Sequence, residues 1–149
     1  EVRGRIVAFA PGGPEAERLA QHPMVLQLGD TVFVHGGVEA KWAQVGLSKL
    51  NAQTAAFLKG EGPVPEAVTA EDGPLWSRRF ASDDSAACAE LAASLDVLGA
   101  KRMVVGHTVQ AGGITSGCDE RVWRVDVGLS RHYGGPIQVL SMKDGALSV

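Results

Sequence analysis

The chain has 149 residues, of which 45% are hydrophobic and 21% are charged, and its formal net charge is −3. This length fits one domain with a modest core, and the composition is typical of a globular protein rather than a disordered one. The slight acidic excess excludes a nucleic-acid binder that works through bulk positive charge. No apolar run approaches the roughly 20 residues that cross a bilayer, so we expect no membrane association.

The two cysteines are too few for a disulfide scaffold and lack the Cys-x-x-Cys spacing of many metal sites. We therefore expect Cys88 and Cys118 to be free thiols and the chain to be intracellular, in a reducing compartment. Cys118 precedes Arg124 at the spacing of a cysteine-dependent phosphatase loop. The residues between them do not form a phosphate-binding loop, so we expect no nucleophilic cysteine here.

Turn residues and apolar spacing divide the chain into alternating helices and strands, which predicts an α/β domain. A Gly-Asp turn at residues 29–30 separates two short apolar runs and predicts a β-hairpin. Residues 60–74 lack periodicity and predict a surface loop that is long enough for a functional role. The predicted helices cover residues 15–21, 41–59 and 85–98, and the predicted strands cover residues 24–28, 31–34, 102–105, 122–127, 137–142 and 146–149.

Two predicted strands end in a histidine that is flanked by glycine, at His35 and at His107. Open α/β sheets place ligands at strand ends, where a rigid sheet holds side chains at the edge of a crevice. Because neutral imidazole is a common metal ligand, these two side chains are candidates for one metal site; two separate, hydrogen-bonded core histidines are the alternative that the residues leave open. Glycine permits close approach of the backbone and positive φ. The residues that we single out beside the histidines are Gly36, Gly37, Gly106 and Thr108.

The His-Gly-Gly motif at residues 35–37 resembles a motif of the calcineurin-like phosphoprotein phosphatases, and Gly-His-Thr at residues 106–108 resembles a later motif of that family. Residues 73–78, 123–130 and 133–135 are similar to the Shewanella-like protein phosphatase branch. The motifs follow the family's order over nearly the whole chain. The resemblance implies an α/β fold, the C-terminal portion of a calcineurin-like αββα metallophosphoesterase sandwich.

The resemblance also implies an activity and roles for particular residues. It implies a metal-dependent protein phosphatase that hydrolyses phosphoserine or phosphothreonine, or phosphotyrosine, with water activated by two divalent ions of manganese, iron or zinc. His35 and His107 would be metal ligands, and Arg78 would be the catalytic residue that binds phosphate, since a guanidinium offers phosphate a planar fork of donors. Asp126 lies inside the buried strand predicted over residues 122–127, so its carboxylate needs a partner, which is either a ligand histidine or the backbone.

Partners and location follow from the same resemblance. The partner would be a phosphorylated protein substrate, and the motifs say nothing about oligomeric state. Family members in photosynthetic organisms occur in the cytosol and in plastids, so we expect a cytoplasmic or organellar location.

Three motifs from the first half of the family are absent from the chain, namely Gly-Asp-x-His, Gly-Asp-x-x-Asp-Arg and Gly-Asn-His-Glu. They normally supply the ligands of the first metal and lie before the His-Gly-Gly motif, where this chain has only 34 residues. We therefore predict that residues 1–149 are the C-terminal part of one metallophosphoesterase domain, with at most one weakly held ion. We expect the chain alone to be inactive and prone to aggregation. A non-catalytic phosphatase-like remnant and a small-molecule phosphohydrolase on the same scaffold are the alternatives.

Overall fold

The computed structural model describes residues 2–149, in which helices and strands alternate along most of the chain. The helices are α1 (Val2–Phe9), α2 (Pro14–Leu19), α3 (Ala40–Val45), α4 (Leu47–Leu58), α5 (Glu66–Thr69) and α6 (Ser85–Leu98), with a 3-10 turn at Arg79–Ala81. The strands are β1 (Val25–Leu28), β2 (Thr31–Val34), β3 (Arg102–Val105), β4 (Thr115–Gly117), β5 (Val122–Arg124), β6 (Ser141–Lys143) and β7 (Ala146–Ser148). No helix within residues 2–149 combines the length and the apolar character needed to cross a membrane.

Strands β1 to β5 form one mixed sheet in the order β1-β2-β3-β5-β4, and β6 pairs with β7 in a separate hairpin. The hairpin predicted around the Gly-Asp turn is confirmed, because β1 and β2 are antiparallel with Leu28 opposite Thr31. Strands β2, β3 and β5 are parallel, and Val34 at the end of β2 lies opposite Val105 at the end of β3. The segments that follow these two strands therefore leave the sheet side by side.

One face of the sheet is covered by helices and holds the core. Alternate residues of the parallel strands, among them Val32, Met103 and Val122, are fully buried on this face together with side chains of α3, α4 and α6. Phe80, from the 3-10 turn, is the largest of the fully buried side chains and belongs to the same cluster. The turn that follows Arg78 is thus anchored in the core of the domain.

Helix α6 begins and ends where its sequence predicts. Asp84 precedes it and accepts a hydrogen bond from the backbone N–H of Ala87 at 2.8 Å, and Gly99 closes it with φ 61°. Hydrogen bonds from the Ser82 hydroxyl and from Ala87 hold the pKa of Asp84 below its usual value. The cap of α6 is therefore a charged acceptor at neutral pH.

We expect the Asp84→Ala variant to melt about 3 °C below the wild type at about pH 7, because it loses the acceptor at the start of α6. Since the pKa of Asp84 is lowered in the folded state, its contribution is present above the unfolded pKa and is lost as pH falls through the folded pKa. The difference should therefore shrink in acid. Thermal unfolding followed by circular dichroism at several pH values measures it. Asp84→Asn keeps a neutral acceptor and serves as control; equal melting of the two variants would contradict the capping role.

Several predicted elements are divided or shortened in the structure. The helix predicted over residues 41–59 consists of α3 and α4, which meet at Gly46 with φ 91° and ψ 133°, a conformation that glycine adopts without strain and that interrupts a helix. The strand predicted over residues 122–127 ends at Arg124, and that predicted over residues 137–142 is reduced to β6 at its end. Helices α1 and α5 and strand β4 were not predicted.

The expectation of free thiols is wrong, because Cys88 of α6 and Cys118 form a disulfide. Their Cα atoms are 5.4 Å apart although 30 residues separate them in the chain. The bond ties α6 to the turn between β4 and β5, in which Cys118, Asp119 and Glu120 all have positive φ. Tertiary packing therefore brings together two cysteines that their spacing in the sequence did not suggest as a pair.

The second face of the sheet carries apolar residues as well. Phe33, Val104 and Val125 line a cavity of about 340 Å³ beneath the C-terminal segment. Arg102 of β3 holds the β6–β7 hairpin near this face, since its Nη1 donates to the carbonyl oxygen of Gly145 at 2.7 Å. The C-terminal segment thus covers part of this second sheet face.

Candidate active site

The two candidate metal ligands meet at the carboxyl ends of β2 and β3. His35 Nε2 lies 3.1 Å from His107 Nδ1, and the ring centroids are 4.9 Å apart. The backbone N–H of Gly106 donates to the carbonyl oxygen of His35 at 2.8 Å, so main-chain bonding between the two segments continues past the strands. His107 has φ 63°, which is uncommon for a residue with a side chain. Positive φ thus occurs at His107 itself and not at Gly36, Gly37 or Gly106.

The glycines beside His35 make room for residues 74–80. A Cβ at Gly36 would lie 2.9 Å from a backbone oxygen of that segment, and one at Gly37 would lie 2.5 Å from the phenyl ring of Phe80. The N–H groups of both glycines donate to the carbonyl oxygen of Pro74, at 2.8 and 3.2 Å. Their contribution in the structure is close packing of two main-chain segments, which fixes the position of the arginine-bearing loop.

The structure places Arg78 beside His107, the second of the two histidines. Its Nη1 donates to the carbonyl oxygen of His107 at 3.2 Å and to Thr108 Oγ1 at 3.1 Å. The side chain is otherwise exposed, and the hydrogen bonds among residues 2–149 leave its other donors for a ligand. A planar set of donors held next to two imidazoles is suited to binding a phosphate group.

A second arginine, Arg124, fixes the segment that follows Arg78. It is only 4% exposed, and its Nε donates to the carbonyl oxygen of Phe80 at 2.6 Å. Its Nη2 donates to the carbonyl oxygen of Ser82 at 3.1 Å and to the carboxylate of Asp83. Because this guanidinium is buried and its donors are used within the chain, Arg124 supports the loop rather than a ligand.

An open cleft of about 380 Å³ adjoins Arg78 and His107. Trp76 forms one wall: its Nε1 donates to the carbonyl oxygen of Val68 at 2.8 Å, and its ring meets that of His107 edge-on with centroids 5.7 Å apart. The site thus combines Arg78 and the imidazole of His107 with an adjoining open space. The residues that line the cleft are Thr69, Glu71, Trp76, Arg78 and His107.

The electrostatic surroundings lower the pKa of His107. Burial is the main cause, and the positive charge of Arg78 and the proximity of His35 add to it, while the carboxylate of Asp126 acts in the opposite direction. His107 is therefore neutral at neutral pH. Neutral imidazole is the form that binds metal ions.

Asp126 bonds the backbone, which is one of the two roles left open for it. Its Oδ1 accepts from the N–H of Gly128 at 3.0 Å, and the described residues show no hydrogen bond between its carboxylate and either histidine. Asp126 lies two residues after the end of β5, so the expectation that it sits inside a buried strand is wrong. The chain turns there, and the carboxylate closes the turn.

The two imidazoles suit one divalent ion. The 3.1 Å between His35 Nε2 and His107 Nδ1 is the distance of a hydrogen bond between the two rings. Two nitrogens that each bind one ion at about 2.1 Å are also roughly 3 Å apart when their bonds meet near a right angle, so the pair could hold one ion in place of the shared hydrogen. Within residues 2–149, no third histidine, cysteine or carboxylate forms a group with them. The group of three that does occur, Asp83 with Cys88 and Cys118, contains the disulfide and is not a metal site. Two ligands alone hold an ion weakly.

No cleft was predicted from the sequence at this place. Trp76 stands two residues before Arg78 in a motif, but tryptophan is more often largely buried than exposed, so its exposure was not foreseen. Thr69 and Glu71 belong to the predicted surface loop, whose length was the available signal. Thr108 was singled out beside His107, but its bond to Arg78 depends on packing between distant segments.

The chain is similar in sequence to known protein phosphatases. No family model matches the chain. Shewanella-like protein phosphatase 2 of Arabidopsis thaliana is 36% identical over 137 residues, which cover 87% of this chain and 35% of that protein. Shewanella-like protein phosphatase 1 of Plasmodium berghei is 28% identical over 138 residues, which cover 85% of this chain and 38% of that protein. The chain spans about a third of the length of these curated relatives.

Solved structures have the same fold. The crystal structure of the cold-active protein-tyrosine phosphatase of a psychrophilic Shewanella species matches 87% of this chain and 40% of its own, with a TM-score of 0.66 and 25% identity. Another structure of a cold-active protein tyrosine phosphatase, at 1.1 Å, matches 72% of this chain and 34% of its own, with a TM-score of 0.62 and 26% identity. The expected α/β class is thereby confirmed. By sequence and by fold, the chain belongs to the Shewanella-like protein phosphatase family and corresponds to about a third of the length of its curated relatives.

Proposed function

We propose that the chain contributes part of the active site of a metal-dependent protein phosphatase, in which His35 and His107 bind a metal ion and Arg78 binds phosphate. The observation that carries the proposal is the meeting of these three residues, with His35 Nε2 at 3.1 Å from His107 Nδ1 and Arg78 bonded to the His107 carbonyl at 3.2 Å. The names of the relatives, which are protein phosphatases, support it.

Each residue has a distinct task in the proposed hydrolysis of a phosphate monoester. A divalent ion bound by the imidazoles supplies Lewis-acid stabilisation of charge on the phosphate. Arg78 orients the phosphate and stabilises the charge that develops in the transition state. Thr108 and the His107 carbonyl hold one nitrogen of Arg78, so less side-chain freedom is lost when phosphate binds.

We propose a phosphorylated protein as the substrate, with phosphotyrosine favoured over phosphoserine and phosphothreonine. The solved neighbours are described as tyrosine phosphatases.

The remaining metal ligands are proposed to come from residues outside this chain. The chain corresponds to 35% of its Arabidopsis relative, and residues 2–149 offer no third ligand beside the histidines. A second divalent ion would therefore bind only in a longer polypeptide. The disulfide favours the organellar alternative among the expected compartments, because disulfides are rare where glutathione keeps thiols reduced.

The proposal is tested by titrating the chain with Mn²⁺ and recording the ³¹P relaxation of inorganic phosphate. We expect one weak Mn²⁺ site, which His107→Ala weakens at least about tenfold, because one of two ligands is removed. Bound Mn²⁺ is paramagnetic, so phosphate at Arg78 relaxes faster, and Arg78→Gln reduces that effect at equal Mn²⁺ occupancy. We expect no turnover of a phosphate ester by this chain alone.

Two exposed residues provide matched controls. His132→Ala and Arg79→Gln remove a histidine and an arginine that lie outside the site, and both variants should behave as the wild type. Mn²⁺ binding that survives the loss of both His35 and His107 would contradict the metal assignment. A phosphatase-like remnant without a metal site predicts neither Mn²⁺ binding nor the relaxation of phosphate.

A further inference from the structure

Trp76 is exposed and yet held in one position. Its side chain is 53% exposed, although its indole N–H donates to the carbonyl oxygen of Val68 at 2.8 Å and its backbone N–H donates to that of Gly73 at 2.9 Å. The edge contact with His107 fixes the ring further. A large aromatic surface is thus presented to solvent at little further entropic cost, which is typical of a binding surface rather than of core packing.

Glu71 lines the same cleft as Trp76 and Arg78. Its carboxylate is exposed, and the ion pairs among residues 2–149 do not include it. An aromatic ring and an unpaired carboxylate in one cleft both attract a cation, the first through the negative face of its π system. The cleft therefore has the chemistry of a subsite for an ammonium or guanidinium group.

The chain itself shows the same combination close by. Lys41 Nζ lies 4.8 Å from the ring centroid of Trp42 and 2.5 Å from Asp72 Oδ2. Here the ammonium group of one lysine contacts an indole ring and a carboxylate at the same time. The Trp76 and Glu71 pair offers an equivalent arrangement to a lysine or arginine from a ligand.

We propose that Trp76 and Glu71 form a specificity-determining subsite that receives a lysine or arginine side chain lying within two positions of the phosphorylated residue of the substrate. This inference rests on the proposed function, because it requires phosphate at Arg78. The bound peptide places its phosphate against the guanidinium of Arg78 and its basic side chain against the carboxylate of Glu71. A basic side chain without a phosphate meets the positive charge of Arg78, so the subsite works only for a phosphorylated ligand.

The test compares the binding of fluorescein-labelled peptides to the chain by anisotropy. All peptides contain one phosphotyrosine; one series has alanines around it, a second has lysines within two positions on either side, and a third has glutamates there. We expect the lysine peptides to bind about threefold to tenfold more tightly than the alanine peptide, and the glutamate peptide more weakly. The preference should decrease as salt is raised, because the contact is exposed.

The variants assign the preference to particular residues. Glu71→Gln and Trp76→Leu should each reduce the ratio of lysine-peptide to alanine-peptide affinity towards unity. Glu61→Gln changes an exposed glutamate outside the cleft and should retain the full preference.

The possible results separate the subsite from the proposed function. Equal binding of lysine and alanine peptides, with both still dependent on phosphate, overturns the subsite and leaves the phosphate site intact. If Trp76→Leu loses binding of all three peptide series alike, the subsite is overturned, because Trp76 then contacts the phosphotyrosine ring and not the flanking lysine. If no peptide binds in a phosphate-dependent manner, the phosphate site fails and the subsite fails with it.

Discussion

Replacing Arg124 by methionine is expected to lower the free energy of unfolding by about 3 kcal/mol. The guanidinium is buried and donates to the carbonyl oxygens of Phe80 and Ser82, at 2.6 and 3.1 Å. Methionine fills much of the same volume but leaves both carbonyls without this donor. The buried Phe80 carbonyl accounts for most of the cost, at about 1–3 kcal/mol, and the partly buried Ser82 carbonyl for less. The ion pair with Asp83 adds little, because that carboxylate is 53% exposed. Urea unfolding followed by circular dichroism measures the change.

Two further variants make this prediction specific. Arg131→Met removes an exposed arginine and should change the free energy of unfolding by less than about 0.5 kcal/mol. Arg124→Lys keeps the charge but not the fork of donors, so its loss should be intermediate. Because the 3-10 turn at Arg79–Ala81 follows Arg78, the methionine variant should also weaken the effect of bound Mn²⁺ on phosphate relaxation. A fully stable Arg124→Met variant would show that the buried hydrogen bonds do not anchor this loop.

Reduction of the disulfide between Cys88 and Cys118 is expected to lower the free energy of unfolding by about 3.5 kcal/mol. The bond spans a sequence separation of 30 residues, and breaking it returns conformational freedom chiefly to the unfolded chain. In the folded chain it also releases a turn in which three successive residues with side chains have positive φ. The comparison is urea unfolding of the oxidised chain with and without a phosphine reductant.

The double variant Cys88→Ala/Cys118→Ala is the matched control for this reduction. It should unfold at the same urea concentration with and without reductant, close to that of the reduced wild type. If the oxidised and reduced wild-type chains unfold together, the bond contributes no stability. If the double variant still responds to the reductant, the effect has another origin.

Local elements were predicted well because the signals that define them lie within a few residues of each other. The β1–β2 hairpin follows from two apolar runs around a Gly-Asp turn, and α6 follows from apolar spacing that ends at Gly99. The break at Gly46 was missed for the opposite reason. Apolar spacing continues from α3 into α4, because both helices pack against the same core, so periodicity alone does not reveal the interruption.

The meeting of His35 and His107 was predictable in outline. Each histidine follows an apolar strand, and neighbouring parallel strands end at the same side of a sheet, so 72 residues of separation do not keep them apart. The pairing of Cys88 and Cys118 was not predictable in this way. One cysteine lies on a helix and the other in a turn, and their proximity depends on where α6 packs on the sheet.

The sequence by itself determined the α/β class, most of the strands, the relation to a phosphatase family and the candidate residues His35, His107 and Arg78. Only the tertiary structure decided that Arg78 rests on the His107 carbonyl and that Arg124 is buried while Trp76 is exposed. Turn and strand preferences are set by neighbouring residues, whereas burial and the choice of hydrogen-bond partner are set by segments that are distant in the chain. The same residue type, arginine, therefore serves as a candidate phosphate ligand at one position and as a buried anchor at another.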